Sequence, residues 1–148
     1  MVQVADGQVE VVDFFVYLGS TIDSTGGSRG EILHHGLARS CMNLLKIRIW
    51  KSSIRLNTKL RLYQMYIVPV LLYGCETWST TKYLCDRIGA FDTWAIWKIL
   101  HIPYTSHMTN IEVRHISGCQ PLSHTITDRR FRLFGHIIRS SPNEDHHR

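Results

Sequence analysis

Residues 32–75 contain no carboxylate, yet they hold Arg39, Lys46, Arg48, Lys51, Arg55, Lys59 and Arg61. A helical surface built only for water usually mixes signs, because opposite charges one turn apart stabilise a helix by roughly 0.2–0.5 kcal/mol per pair. A one-sign stretch suits phosphate instead, since each cation set against a phosphate releases a condensed counterion. The competing reading is a solvated face that happens to be basic. A second cluster, Arg129, Arg130, Arg132 and Arg139 with His136, has one acid nearby, Asp128, and divides evenly between the two readings. Aromatic rings interleave with the first cluster: Trp50 precedes Lys51, and Tyr63 and Tyr66 follow Arg61. Rings beside a basic groove can stack bases. Trp94 and Trp97, at helical spacing, read as core, and Trp50 reads equally as core or as platform.

Other chemistries lack their residue patterns. His34 with His35, His101 with His107, and Cys119 with His124 and His136 are the metal candidates. None has the spacing that sets ligands on one face, so no metal site is expected. There is no Gly-x-Ser-x-Gly elbow for a nucleophile. Gly26-Gly27-Ser28-Arg29-Gly30 is glycine-rich before a helix but lacks the Lys-Ser/Thr end of a nucleotide-binding loop. Its helix start could hold one phosphate, though a plain loop is the expectation. The twelve acids are scattered, whereas two-metal chemistry needs carboxylates that converge. No catalytic or cofactor-binding residue is therefore assigned.

At 148 residues the chain has the size of one domain, and its 44% hydrophobic share can form a core. The net charge of +5 fits a polyanionic partner without requiring one. Cys41, Cys75, Cys85 and Cys119 form no Cys-x-x-Cys pair. No leader and no long apolar span is visible. These features predict an intracellular protein, nuclear or cytoplasmic, with free thiols and no membrane contact.

The elements that would position the cations can be read in order. Val2, Val4, Val9 and Val11 alternate around Asp6-Gly7, which predicts a hairpin turning on that pair. Phe14 to Ile22 reads as a third strand. With Met1 against the first strand, the chain reads as starting inside a larger sheet. Ser28 and Glu31 form a capping-box pattern, and a helix follows with Leu33, Leu37, Cys41, Leu44 and Leu45 on its apolar face. Gly36 weakens that helix. Asn57 starts a second helix, running to about Gly74, which Pro69 should kink. A third begins at Thr80 or Thr81, with Leu84, Ile88, Phe91, Ala95 and Ile99 inward. Thr109 and Glu112 make another capping box, for a short helix that Gly118 stops. Pro121 opens a last helix with Leu122, Ile126, Leu133 and Ile137 on one side. The expected fold is mainly α, about five helices, with a small N-terminal antiparallel β-hairpin or meander: a truncated α+β fragment.

Longer strings of the sequence resemble a known family. Tyr17-Leu18-Gly19-Ser20-Thr21-Ile22, Thr58-Lys59-Leu60-Arg61-Leu62-Tyr63 and Pro69 through Trp78 resemble segments of the reverse transcriptases of LINE-like (non-LTR) retrotransposons. Ile99-Leu100, Asn110-Ile111-Glu112-Val113 and Arg129 through His136 resemble the C-terminal region of the same enzymes. The resemblance implies three regions: residues 1–23 as the end of the palm, 24–78 as a thumb of basic helices, and 79–148 as a C-terminal helical region. It implies that Tyr17, Leu18 and Gly19 help seat a primer. It makes Arg39, Lys46, Lys59 and Arg61 thumb cations; charge placement adds Arg48, Lys51, Arg129, Arg130 and Arg132 as nucleic-acid-binding residues.

The sequence departs from that family twice. The catalytic aspartates, which would bind magnesium in the parent enzymes, belong upstream of Tyr17-Leu18-Gly19, and this chain does not contain them. His34-His35-Gly36 stands where basic and then apolar residues are expected. The expectation is a C-terminal polymerase fragment that is not an enzyme by itself. It would bind RNA, DNA or an RNA–DNA hybrid without base readout, and would have the upstream polymerase segment as a further partner. The alternatives are a degenerate reading frame without function, or a host interaction protein.

Overall fold

A computed structural model describes residues 2–4, 7–17, 20–23, 29–78, 81–103 and 105–140. The chain is mainly α-helical, with short antiparallel strands at its N-terminus. Strand β1 (Val2–Val4) pairs with β2 (Gly7–Val9), and β3 (Phe14–Tyr17) pairs with β4 (Ser20–Asp23). Two expectations change here. Val4 pairs with Gly7, so Gly7 is the first paired residue of β2, one position earlier than an Asp6-Gly7 turn requires. The run from Phe14 to Ile22 is a hairpin and not a single strand, with Tyr17 opposite Ser20. The sequence between the two paired strands, Leu18-Gly19, lies outside the described residues.

Six α-helices follow among the described residues, in keeping with the mainly α expectation of about five. They are α1 (Arg29–Leu44), α2 (Leu56–Leu62), α3 (Val68–Leu71), α4 (Lys82–Leu100), α5 (Asn110–Ser117) and α6 (Leu122–Ser140). The extra helix comes from Pro69. The expected second helix is interrupted by a widened π-helical turn, Tyr63–Ile67, and resumes as α3. Proline cannot donate to the carbonyl four residues back, and its ring collides with that carbonyl. The widened turn lies directly upstream of the ring and relieves this clash. A second π-helical turn, Lys46–Trp50, extends α1.

The helix starts follow their side chains. Thr81 caps α4 by accepting from the Leu84 N–H at 3.2 Å. Thr109 and Glu112 close the reciprocal box on α5, at 3.3 and 2.7 Å, and Gly118 ends that helix at φ 65°. That left-handed backbone favours glycine. The predicted box at Ser28 and Glu31 lies outside the residues whose side chains are described.

One core joins the helices. Met42, Trp50, Leu60, Tyr63, Ile67, Leu71, Leu72, Ile88, Phe91, Ile99 and Ile126 are all buried in it. Residues from both sides of Gly74–Ser79 therefore share one interior. Helix α4 buries the face predicted for it, Leu84, Ile88, Phe91, Ala95 and Ile99. Helix α1 does not. Its inward residues are His34, Ala38 and Met42, with Cys41 and Leu45 half-buried, while Leu33, Leu37 and Leu44 face out. Rings explain the rotation. His34 packs on Tyr73 at 5.5 Å, and His35 meets the Phe91 ring edge-on at 5.1 Å. On α6, Leu122 and Ile126 are buried as expected, but Leu133 and Ile137 are exposed. The face is continuous, and the helix outruns the core it packs on.

Two polar networks tie the helices together. The buried Asp92 carboxylate accepts from the Tyr63 hydroxyl at 2.7 Å and from the Arg114 guanidinium at 2.8 Å. It therefore links the π-helical turn, α4 and α5. Burial and the adjacent Asp92 carboxylate push the Tyr63 hydroxyl well above its usual pKa, so it stays a donor. The second network centres on Trp50 and borders the candidate site.

Candidate nucleic-acid interface

Trp50 fixes one wall. Its indole N–H donates to the Met42 carbonyl at 3.0 Å, satisfying an acceptor near the C-terminal end of α1. Its own carbonyl accepts from Lys59 Nζ at 2.7 Å and is also bonded to the His101 ring. Lys59 donates again to the Ser52 carbonyl, at 2.7 Å. The buried ammonium thus caps the end of the Lys46–Trp50 turn, where carbonyl dipoles favour a cation. His101 ends α4 in the left-handed region, at φ 52°, an uncommon backbone for a side chain with a Cβ. Its bond to Trp50 pins the end of α4 to the end of the π-helical turn.

Helix α4 forms the opposite wall. Phe91 faces inward, and Trp94, Trp97, Lys98 and His101 follow at one-turn spacings on the adjoining side. Trp94 is half-buried, 5.5 Å from Phe91, with the Arg39 guanidinium 4.9 Å from its ring and Lys98 Nζ at 5.8 Å. Those distances allow cation–π attraction. The Trp97 N–H donates to Asn110 Oδ1 at 3.1 Å, which ties its orientation to α5.

Between the walls is a cavity of about 270 Å³, lined by Lys46, Lys51, Trp94, Trp97, Lys98 and their neighbours. It adjoins a wider groove of about 800 Å³ that continues along Gly89, Ala90 and Thr93 to Asn110. Among the described residues no carboxylate lines either space. The combination of three lysines and two half-exposed indoles offers both a charge complement for phosphate and flat surfaces for bases.

The predicted cations divide. Arg39, Lys46 and Lys51 belong to this site. Arg48 and Arg61 are exposed elsewhere. Lys59 is only 6% exposed, and its charge is used inside the fold. Arg129 and Arg132 share a shallow surface with Glu76 and His136, while Arg130 turns another way, beside Thr127, Phe131 and Phe134. The C-terminal arginines therefore form no single patch. Leu18 and Gly19 lie outside the described residues, as does the side chain of Tyr17.

Trp50, which read equally as core or platform, is core, and Trp94 and Trp97, which read as core, line the groove. Trp94, Trp97 and Lys98 were missed as site residues. Their signal was available in the sequence, because Trp94 and Trp97 lie roughly 90° and 150° around the helix from the Leu84–Ile88–Phe91–Ala95 stripe, with Lys98 at its edge.

Among the described residues no three His, Cys, Asp or Glu side chains gather as metal ligands. The magnesium implied by the family resemblance thus finds no donor set here. The four cysteines are free thiols. Burial and neighbouring Glu76 raise Cys75 to about 11, which makes it a poor nucleophile at neutral pH. No helix among the described residues is long and apolar enough to cross a membrane. The chain matches no known protein family, and no curated protein or solved structure is similar to it.

Proposed function

We propose that the chain is a sequence-independent nucleic-acid-binding module. On this reading it corresponds to the thumb and following helices of a non-LTR retrotransposon reverse transcriptase, without the catalytic carboxylates. The observation that carries the proposal is the acid-free groove between Lys46, Lys51 and Lys98 with Trp94 and Trp97 on its wall. Support also comes from the carboxylate-free stretch 32–75 and from the Tyr-Gly-Cys-Glu-Thr-Trp string at residues 73–78. Phosphate contacts hold the strand, and specificity for sequence is low because such contacts do not read base edges. The isolated chain carries out no phosphoryl transfer on this reading, since the charge-stabilising metals would have no ligands.

The test is fluorescence anisotropy with RNA–DNA hybrids of unrelated sequence. Saturable binding of similar strength to each is expected. Absence of binding at low salt would overturn the proposal.

The exposed apolar residues favour a second reading. Leu33, Leu37 and Leu44 on α1, and Phe131, Phe134 and Ile138 on α6, face solvent. Contiguous exposed apolar surface commonly marks a protein contact. The chain would then work against the upstream polymerase segment that the family resemblance implies. Co-purification with such a segment, lost in Phe131→Ser/Phe134→Ser, tests it.

A further inference from the structure

We infer that the 270 Å³ cavity receives one unpaired nucleobase, so that the chain prefers single-stranded segments over continuous duplex. The inference rests on the nucleic-acid reading and adds the form of the ligand. The cavity's volume lies just below the roughly 300–1,000 Å³ typical of small-molecule pockets. That is space for a small planar group and not for a base pair with its stacked neighbours. A base still paired in a duplex would have to be extruded to enter, at the cost of unstacking and unpairing.

The walls suit a base. Trp94 is engaged by Arg39 and Lys98, which leaves it as a fixed side. Among the described residues no cation or second ring lies over Trp97. Its bond to Asn110 holds the indole in place before any ligand arrives, so little side-chain freedom remains to be lost on stacking. Lys46 and Lys51 stand on the same cavity and Lys98 is shared with the adjoining groove, at positions suited to the phosphates on either side of the base. That groove runs past Gly89 and Ala90. A Cβ built on Gly89 meets nothing within 4 Å, so the small residues leave open room for the continuing strand.

The test compares a homopolymeric single strand with a blunt duplex of equal length, at one salt concentration, using the full chain. Binding is followed by anisotropy and by tryptophan emission. The single strand is expected to bind at least about fivefold more tightly and to quench emission, as a stacked base does. Trp97→Ala should weaken single-strand binding by about fivefold or more, by a larger factor than it weakens duplex binding, and should reduce the quenching. Trp97→Phe should restore most of the preference. Circular dichroism checks that both variants fold, and the wild-type quenching stands as a readout that needs no variant. Nucleic-acid binding with no strand preference and no quenching would overturn this inference while leaving the proposed function intact. Binding to neither probe would overturn both.

Discussion

Lys59 and Arg61 sit two residues apart on α2 and do different work. Lys59 is buried, with its ammonium on two backbone carbonyls, whereas Arg61 is exposed. Lys59→Met removes the donor and leaves the Ser52 carbonyl without its lysine partner. We expect a loss of about 1–3 kcal/mol, the range for an unsatisfied buried polar group, measured as a lower urea midpoint. Arg61→Gln should leave the midpoint within about 0.5 kcal/mol of wild type, as surface changes usually do. Sequence could not separate the two, because both follow the same basic pattern. What distinguishes them is where the chain end of the Lys46–Trp50 turn comes to rest, and that is a tertiary fact. Trp50 was ambiguous for the same reason.

At the scale of elements, the caps and the α4 face were legible because they depend on neighbours within one or two turns. Thr81, Thr109, Glu112 and Gly118 all perform the local roles their residue types imply. The face of α1 was not legible. It carries leucines on one side and His34, Ala38 and Met42 on another, and ring packing against Tyr73 and Phe91 decides between them. The hairpin inside Phe14–Asp23 was hidden because its glycine was read as part of a strand. Gly36 offers an element-scale prediction. It lies exposed within α1, and an added Cβ meets nothing within 4 Å. Gly36→Ala should stabilise the protein by about 0.5–1 kcal/mol, through helix propensity and reduced freedom of the unfolded chain. A raised denaturation midpoint with unchanged nucleic-acid affinity would bear this out.

At the scale of the whole molecule, α1 packs against α3 and α4, and two histidines with lowered pKa stand at those junctions, His34 against Tyr73 just past α3 and His35 against Phe91 of α4. Burial lowers His34; burial, then Arg87 and Arg39, lower His35. The unfolded chain therefore takes up protons before the folded one does, and stability rises with pH through this window. Stability should be level above about pH 7 and should fall as pH drops through the ordinary histidine value of 6.5. Urea midpoints between pH 8 and pH 5.5 measure it, and His34→Gln/His35→Gln should flatten the profile. Protonation at His35 would also add charge near Arg39, at one edge of the groove, so binding should be compared at fixed pH.

The central claim is that the acid-free groove binds phosphate, and the salt dependence of hybrid binding tests it most directly. For wild type, the logarithm of the association constant should fall linearly with the logarithm of salt concentration, with a slope of several units. In Lys46→Gln/Lys51→Gln/Lys98→Gln the slope should flatten by about one unit for each lost contact. A wild-type slope near zero, or a triple variant with an unchanged slope, would contradict the account.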